Sequence, residues 1–138
     1  MDGKERKIKS AEYEAVASAG PHLRRLQQAH AHLVVTGCHR SRALLTKLLT
    51  LSCAAGSIAY TRRLFRSVSD PDSFLFNSLI KASSKFGFSL DAVLFYRRML
   101  HSRIVPSTYT FTSVIKACAD LSLLCIGMLV HSHVFVSG

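Results

Sequence analysis

Tryptophan is absent from this 138-residue sequence, and proline occurs only three times. Acidic residues are missing from 15 to 69, a window that holds Arg24, Arg25, Arg40, Arg42, Lys47, Arg62, Arg63 and Arg66. None of the four cysteines (Cys38, Cys53, Cys118, Cys125) belongs to a C-x-x-C pair. In apolar helical contexts they read as buried thiols of a reducing compartment, not as disulfides or zinc ligands. The least polar stretch, LSLLCIGMLV (121–130), is too short to span a bilayer and reads as a core helix, so no membrane partner is expected. The opening MDGKERKIKSAEYE has four acids and no apolar h-region, and is expected to be neither a secretory signal nor an organellar presequence. H-x-E…P-C-x-x-C, the P-loop pattern, G-x-S-x-G and H-E-x-x-H are all missing. The expectation is therefore a protein that is not an enzyme, with no cofactor and no small-molecule substrate.

What is present is positive charge and enough apolar residue for a core. Lys and Arg number 18 against 8 acids, a net charge of +10, and hydrophobic residues make up 49%. That composition excludes disorder. A long stretch of one sign favours a polyanionic partner, nucleic acid before membrane. The alternative is a basic but inert solvated face.

HAHLVVTG (30–37) returns as HSHVFVSG (131–138), 101 residues later. Internal periodicity accounts for it. A shift of 35 lays NSLIKAS (77–83) over TSVIKAC (112–118) and Pro71 over Pro106; a shift of 31 lays TKLLTLS (46–52) over NSLIKAS. One shift of 31 and two of 35 separate the two histidine phrases. The array comprises four units, about 8–41, 42–72, 73–107 and 108–138 with the last incomplete, behind a tail at 1–7.

Each unit reads as two helices. In the third, Leu75, Leu79, Ile80 and Ala82 form one apolar stripe and Ala92, Phe95, Tyr96 and Met99 another. Gly87 breaks the pattern between them, Ser89 is a candidate N-cap with Asp91 in the first turn, and Pro106 stops continuation. The second unit repeats this with Gly56-Ser57 as break and cap, then Ile58, Leu64, Phe65 and Val68. Gly37 and Gly138 stand where a helix-closing glycine belongs. The repeated His-x-His is a poor metal site. Residues two apart on a helix point about 200° away from each other, whereas ligands need a spacing of three or four. The histidines are expected to pack and cap.

The tetratricopeptide pattern requires a tryptophan that this chain lacks. SFLFNSLIKASSKFGFSLDAVLFYRRMLHSRIVPS (73–107) instead resembles the pentatricopeptide repeat, through Phe76-Asn77-x-Leu79-Ile80, Gly87, Ala92, Tyr96, Met99 and Pro106. The resemblance extends over about 20–138. The 31- and 35-residue lengths are similar to the mixed long/short subclass of plant organelles, as an N-terminal or truncated portion. It implies an all-α fold, a right-handed α-solenoid of helix-turn-helix units with about seven to eight helices.

It also implies that single-stranded RNA is the partner, read one base per repeat. In this family the fifth and last residues of a repeat meet one base edge. The pairs here are Thr46 with Asp72, for guanine, and Asn77 with Ser107, for cytosine rather than uracil; Thr112 opens a third. Phe74 and Tyr109, second in their units, would flank bases, with Ala43 a weaker flank in the second unit, and Lys85 would approach phosphate. Without that register, Asn77 and Thr112 read as exposed polar residues near helix starts, and Asp72 as a turn residue or cap. The functional expectation is sequence-specific recognition in organellar RNA processing or C-to-U editing, in mitochondrion or chloroplast, alongside editing or processing proteins. The alternative is a protein-binding helical scaffold, which an apolar groove would favour over the polar positions 46, 77 and 112.

Overall fold

A computed structural model describes residues 3–122 and His131, with side chains from Ala11 onward. The expectations for the last helix, Cys125, His133 and Gly138 lie outside the described residues. Among those described, the fold is all-α, a helical-repeat architecture of seven α-helices and one 3₁₀ turn without a strand. Its contacts divide it into two compact units, 1–69 and 70–138. Among the described residues no helix is long and apolar enough to cross a membrane.

The first unit contains α1 (Gly3–Ala19), α2 (Leu23–Thr36), a 3₁₀ turn (Cys38–Arg40), α3 (Arg42–Ala54) and α4 (Ile58–Arg66). Helix α1 packs on α2 and α3, and α3 packs on α4. Val16, Leu26, Leu33, Leu44, Leu48, Leu49 and Phe65 make the core. Gly37 closes α2 in the left-handed region at φ 77°, its N–H donating to the Val34 carbonyl. Two hydroxyls cross the α3–α4 seam: Ser52 Oγ lies 2.6 Å from Thr61 Oγ1, and both side chains are wholly buried. The main departure from expectation is α1. Residues 3–7, expected as a tail, already belong to it, because Lys4, Glu5, Arg6 and Lys7 are good helix formers.

Of the two histidines of the first phrase, His30 packs against α4, and His32 is exposed. His30 Nδ1 lies 3.1 Å from the Tyr60 hydroxyl of α4, with the two rings edge to face. His32 Nε2 lies 3.2 Å from Glu12 Oε1 of α1. The rings face different helices and do not converge. Burial, with the charge of His39 in second place, holds the His30 imidazole below its ordinary pKa.

The second unit contains α5 (Ser73–Lys85), α6 (Ser89–His101) and α7 (Thr108–Asp120), each packed on the other two. Both expected stripes are buried: Leu75, Leu79, Ile80 and Ala82 on α5, and Ala92, Phe95, Tyr96 and Met99 on α6. Asp72 caps α5, its Oδ1 accepting the Leu75 N–H at 2.9 Å. Ser89 is not the cap of α6. Gly87 turns left-handed at φ 87° and the Phe88 N–H reaches back to the Ser83 carbonyl at 2.8 Å. The chain therefore turns one residue earlier, and Phe88 takes the cap position. Ser89 becomes the first helical residue, its hydroxyl donating to Asp120 Oδ2 of α7 at 3.4 Å. Asp91 stands in the first turn as expected. Cys53 and Cys118 are buried and in no disulfide, and burial raises the pKa of Cys118; Cys38 is only half-buried.

Candidate functional site

Helices α5 and α7 begin side by side. Ser107 and Thr110 open α7 with a reciprocal capping box, in which the Ser107 side chain accepts from the Thr110 backbone and the Ser107 N–H donates to Thr110 Oγ1 at 3.0 Å. The Thr110 hydroxyl then donates across to Asn77 Oδ1, on the second turn of α5. Asn77 and Ser107, paired by expectation, are thus brought together, each bound to Thr110. Thr110 is fully buried and Asn77 half-buried.

Two aromatic side chains stand out beside this linkage. Phe74, second in α5, is 66% exposed, and Tyr109, second in α7, is 77% exposed. A solvated phenyl ring forgoes roughly 1.5–3 kcal/mol of burial. Two at equivalent places at one end of a helix pair form a ready stacking surface. Tyr96 of α6 and Phe111 of α7 pack edge to face at 6.5 Å, and burial raises the Tyr96 pKa.

The other expected residues are placed differently. Thr112 is exposed, and its hydroxyl donates to the Thr108 carbonyl at 2.8 Å. Lys85 lies in the last turn of α5, about 12 Å along the helix from Asn77 at 1.5 Å per residue. Its Nζ sits 5.5 Å from the Phe86 ring centroid, so it does not join the cluster. Thr46 departs from expectation: it is 7% exposed, and its hydroxyl donates to the Arg42 carbonyl at 2.7 Å. A threonine short enough to bond its own helix needs no external partner. Asp72 serves as the cap described above. Thr110 was missed by reading the sequence for paired positions, although the Ser107-x-x-Thr110 spacing before an apolar run was a visible capping signal.

Charge is concentrated in the first unit. Arg24, Arg25, Arg40, Arg42, Arg62, Arg63 and Arg66 are all exposed, while half-buried Lys47 lies 6.0 Å from the Tyr13 ring centroid.

The fold, with a polar and aromatic constellation at the start of alternate helices, defines a helical-repeat protein. Residues 71–120 match the PPR repeat family. The chain is 36% identical over 126 residues to pentatricopeptide repeat-containing protein At3g12770 of Arabidopsis thaliana, covering 91% of this chain and 18% of that protein. It is 31% identical over 114 residues to At1g09190 of the same description and organism, covering 83% of this chain and 24% of the relative. Over 117 residues it is 31% identical to At3g04750, whose description adds "mitochondrial"; this covers 84% of this chain and 18% of the relative. The chain is thus similar to pentatricopeptide repeat proteins. The chain spans about a fifth of the length of these relatives.

Proposed function

We propose that this chain is a single-stranded-RNA recognition module of organellar RNA processing, in mitochondrion or chloroplast, which acts by binding and not by catalysis. In this reading one base stacks beside Phe74 and Tyr109 while Asn77, with Ser107, meets its Watson–Crick edge. The observation that carries the reading is the exposure of both aromatics next to the half-buried Asn77 amide. The exposed arginines of the first unit supply attraction to phosphate, and Lys85 adds a further charge at the far end of α5. The family match and the mitochondrial description of one relative support the organellar setting. C-to-U editing is the processing step we favour, with the catalytic protein supplied in trans. Base reading is assigned to residues 70–138, with Asn77 and Ser107 preferring cytosine. It does not extend to Thr46, which is buried.

Fluorescence anisotropy on the full chain tests this. Single-stranded RNA should bind more tightly than duplex DNA, with affinity falling steeply as salt rises. Phe74→Ala and Tyr109→Ala should each weaken binding by roughly 1–3 kcal/mol, the scale of a base–aromatic stack. Asn77→Ala should keep its helix, alanine being the better helix former, yet lose base discrimination of about 1–3 kcal/mol. Equal binding to duplex DNA and single-stranded RNA would leave charge alone as the explanation and sink the proposal.

A further inference from the structure

Thr110 occupies a place that the second and third units give to leucine. Shifts of 35 and 31 align it with Leu75 and then with Leu44, and all three side chains are buried. A hydroxyl in an apolar slot costs stability unless its hydrogen bonds are made. Thr110 makes them in a line. Its Oγ1 accepts the Ser107 N–H at 3.0 Å and its hydrogen goes to Asn77 Oδ1. The other acceptor in reach, Ser107 Oγ, lies at 3.4 Å, beyond the usual O–H···O range of about 2.5–3.0 Å. The carbonyl end of the Asn77 amide is therefore the end that is held. Its Nδ2 amino group has no partner among the described residues.

We infer that Thr110 is a positioning residue that fixes the Asn77 amide with its Nδ2 hydrogens toward the bound base, so that this position selects a base edge offering two adjacent acceptors. The inference rests on the RNA reading proposed above. An unrestrained amide can rotate to present either its donor or its acceptor, and so discriminates poorly. Held by Thr110, it presents donors only. Cytosine meets it with two adjacent acceptors, N3 and O2. Uracil places N3–H between O4 and O2, and guanine sets N1–H beside O6, so each also turns a donor toward the amino group. The buried hydroxyl thus gives the preference for cytosine a physical origin one helix away from the residue that reads it.

The test uses the full chain and the single-stranded RNA most enriched from a randomised pool, together with its three single-base changes at the position sensitive to Asn77→Ala. Wild type should prefer cytosine there by about tenfold, the effect of one good side-chain–base contact. Thr110→Val keeps the shape and removes the hydroxyl, and the leucines at equivalent positions indicate that the slot accepts apolar side chains. Thr110→Ala is the second hydroxyl-free variant. Both should bring cytosine, uracil and guanine to near-equal affinity, while Thr110→Ser restores the wild-type order. A purely structural role would lower the melting temperature and weaken all four RNAs alike, and that result overturns the inference. If Asn77→Ala abolishes the preference but Thr110→Val and Thr110→Ala retain it, RNA reading stands and the positioning role alone is refuted. If Asn77→Ala moves no base preference, the reading at Asn77 fails and the inference falls with it.

Discussion

Asp72 offers a perturbation whose size follows from the geometry. Its Oδ1 accepts the Leu75 N–H at 2.9 Å, and that N–H lies in the first turn of α5, where no intrahelical carbonyl can reach it. Asp72→Ala removes the acceptor and should cost about 1 kcal/mol, with 2 kcal/mol as the upper end for such caps. In a unit of this size, 1 kcal/mol lowers the melting temperature by roughly 4–8 °C. Asp72→Asn keeps an oxygen in the capping position and gives up only the favourable meeting of a carboxylate with the helix dipole, about 0.3–1 kcal/mol. The expected order of stability is wild type, then Asp72→Asn, then Asp72→Ala. Thermal and urea unfolding of the full chain, followed by far-UV circular dichroism, would read it, with the urea slope unchanged across the series. An alanine variant melting with wild type, or an asparagine variant as damaged as alanine, would refute the cap. The pair also separates stability from recognition. Asparagine retains the cap while replacing an acceptor-only group by one that also donates, so a changed base preference in Asp72→Asn would implicate the side chain in binding.

Two further outcomes concern the first unit. Breaking the buried Ser52–Thr61 contact by Thr61→Val should cost about 1–3 kcal/mol, since the Ser52 oxygen loses a neighbour at 2.6 Å that water cannot replace. A double-mutant cycle with Ser52→Ala should recover a coupling of at least about 0.5 kcal/mol, and strict additivity would show that the hydroxyls do not interact. His30 should make the fold acid-sensitive. Its folded pKa is lowered, chiefly by burial, so as pH falls through the ordinary value of 6.5 the unfolded chain takes up its proton first and stability drops. Above that value its contribution is constant. His30→Gln, which keeps an acceptor for Tyr60, should flatten the fall in melting temperature below pH 6.5; an unchanged slope would assign that sensitivity elsewhere.

The apolar stripes were legible because helical periodicity is local. Leu75, Leu79, Ile80, Phe95 and Met99 announce their faces by spacing alone, and all are buried. Helix α1 was harder to read, since its charged opening carries no stripe and its place in the fold comes from packing Val16 and Ala19 against its neighbours. Ser89 was misread for a different reason. A serine after a glycine break resembles a cap, but which residue caps depends on where the left-handed turn closes, and the Phe88 N–H closes it on Ser83.

The candidate site shows the same division at finer scale. Thr46 and Asn77 hold the same register position, yet one is buried and bonded to its own helix while the other reaches a neighbouring helix. The buried Thr46 hydroxyl turns back to the carbonyl four residues earlier, whereas the Asn77 amide meets a hydroxyl of the adjacent helix. Register alone cannot separate them, because it counts residues and not atoms. Thr110 is the converse case. Its identity breaks the run of Leu44 and Leu75, and a polar residue in an apolar register position calls for a buried partner. That partner, Asn77, lies 33 residues earlier in the chain. Comparing the units therefore exposes an exception that composition and periodicity pass over. Such an exception, a hydroxyl where its equivalents are leucines, is the kind of sequence signal that leads from the repeat to the chemistry of one site.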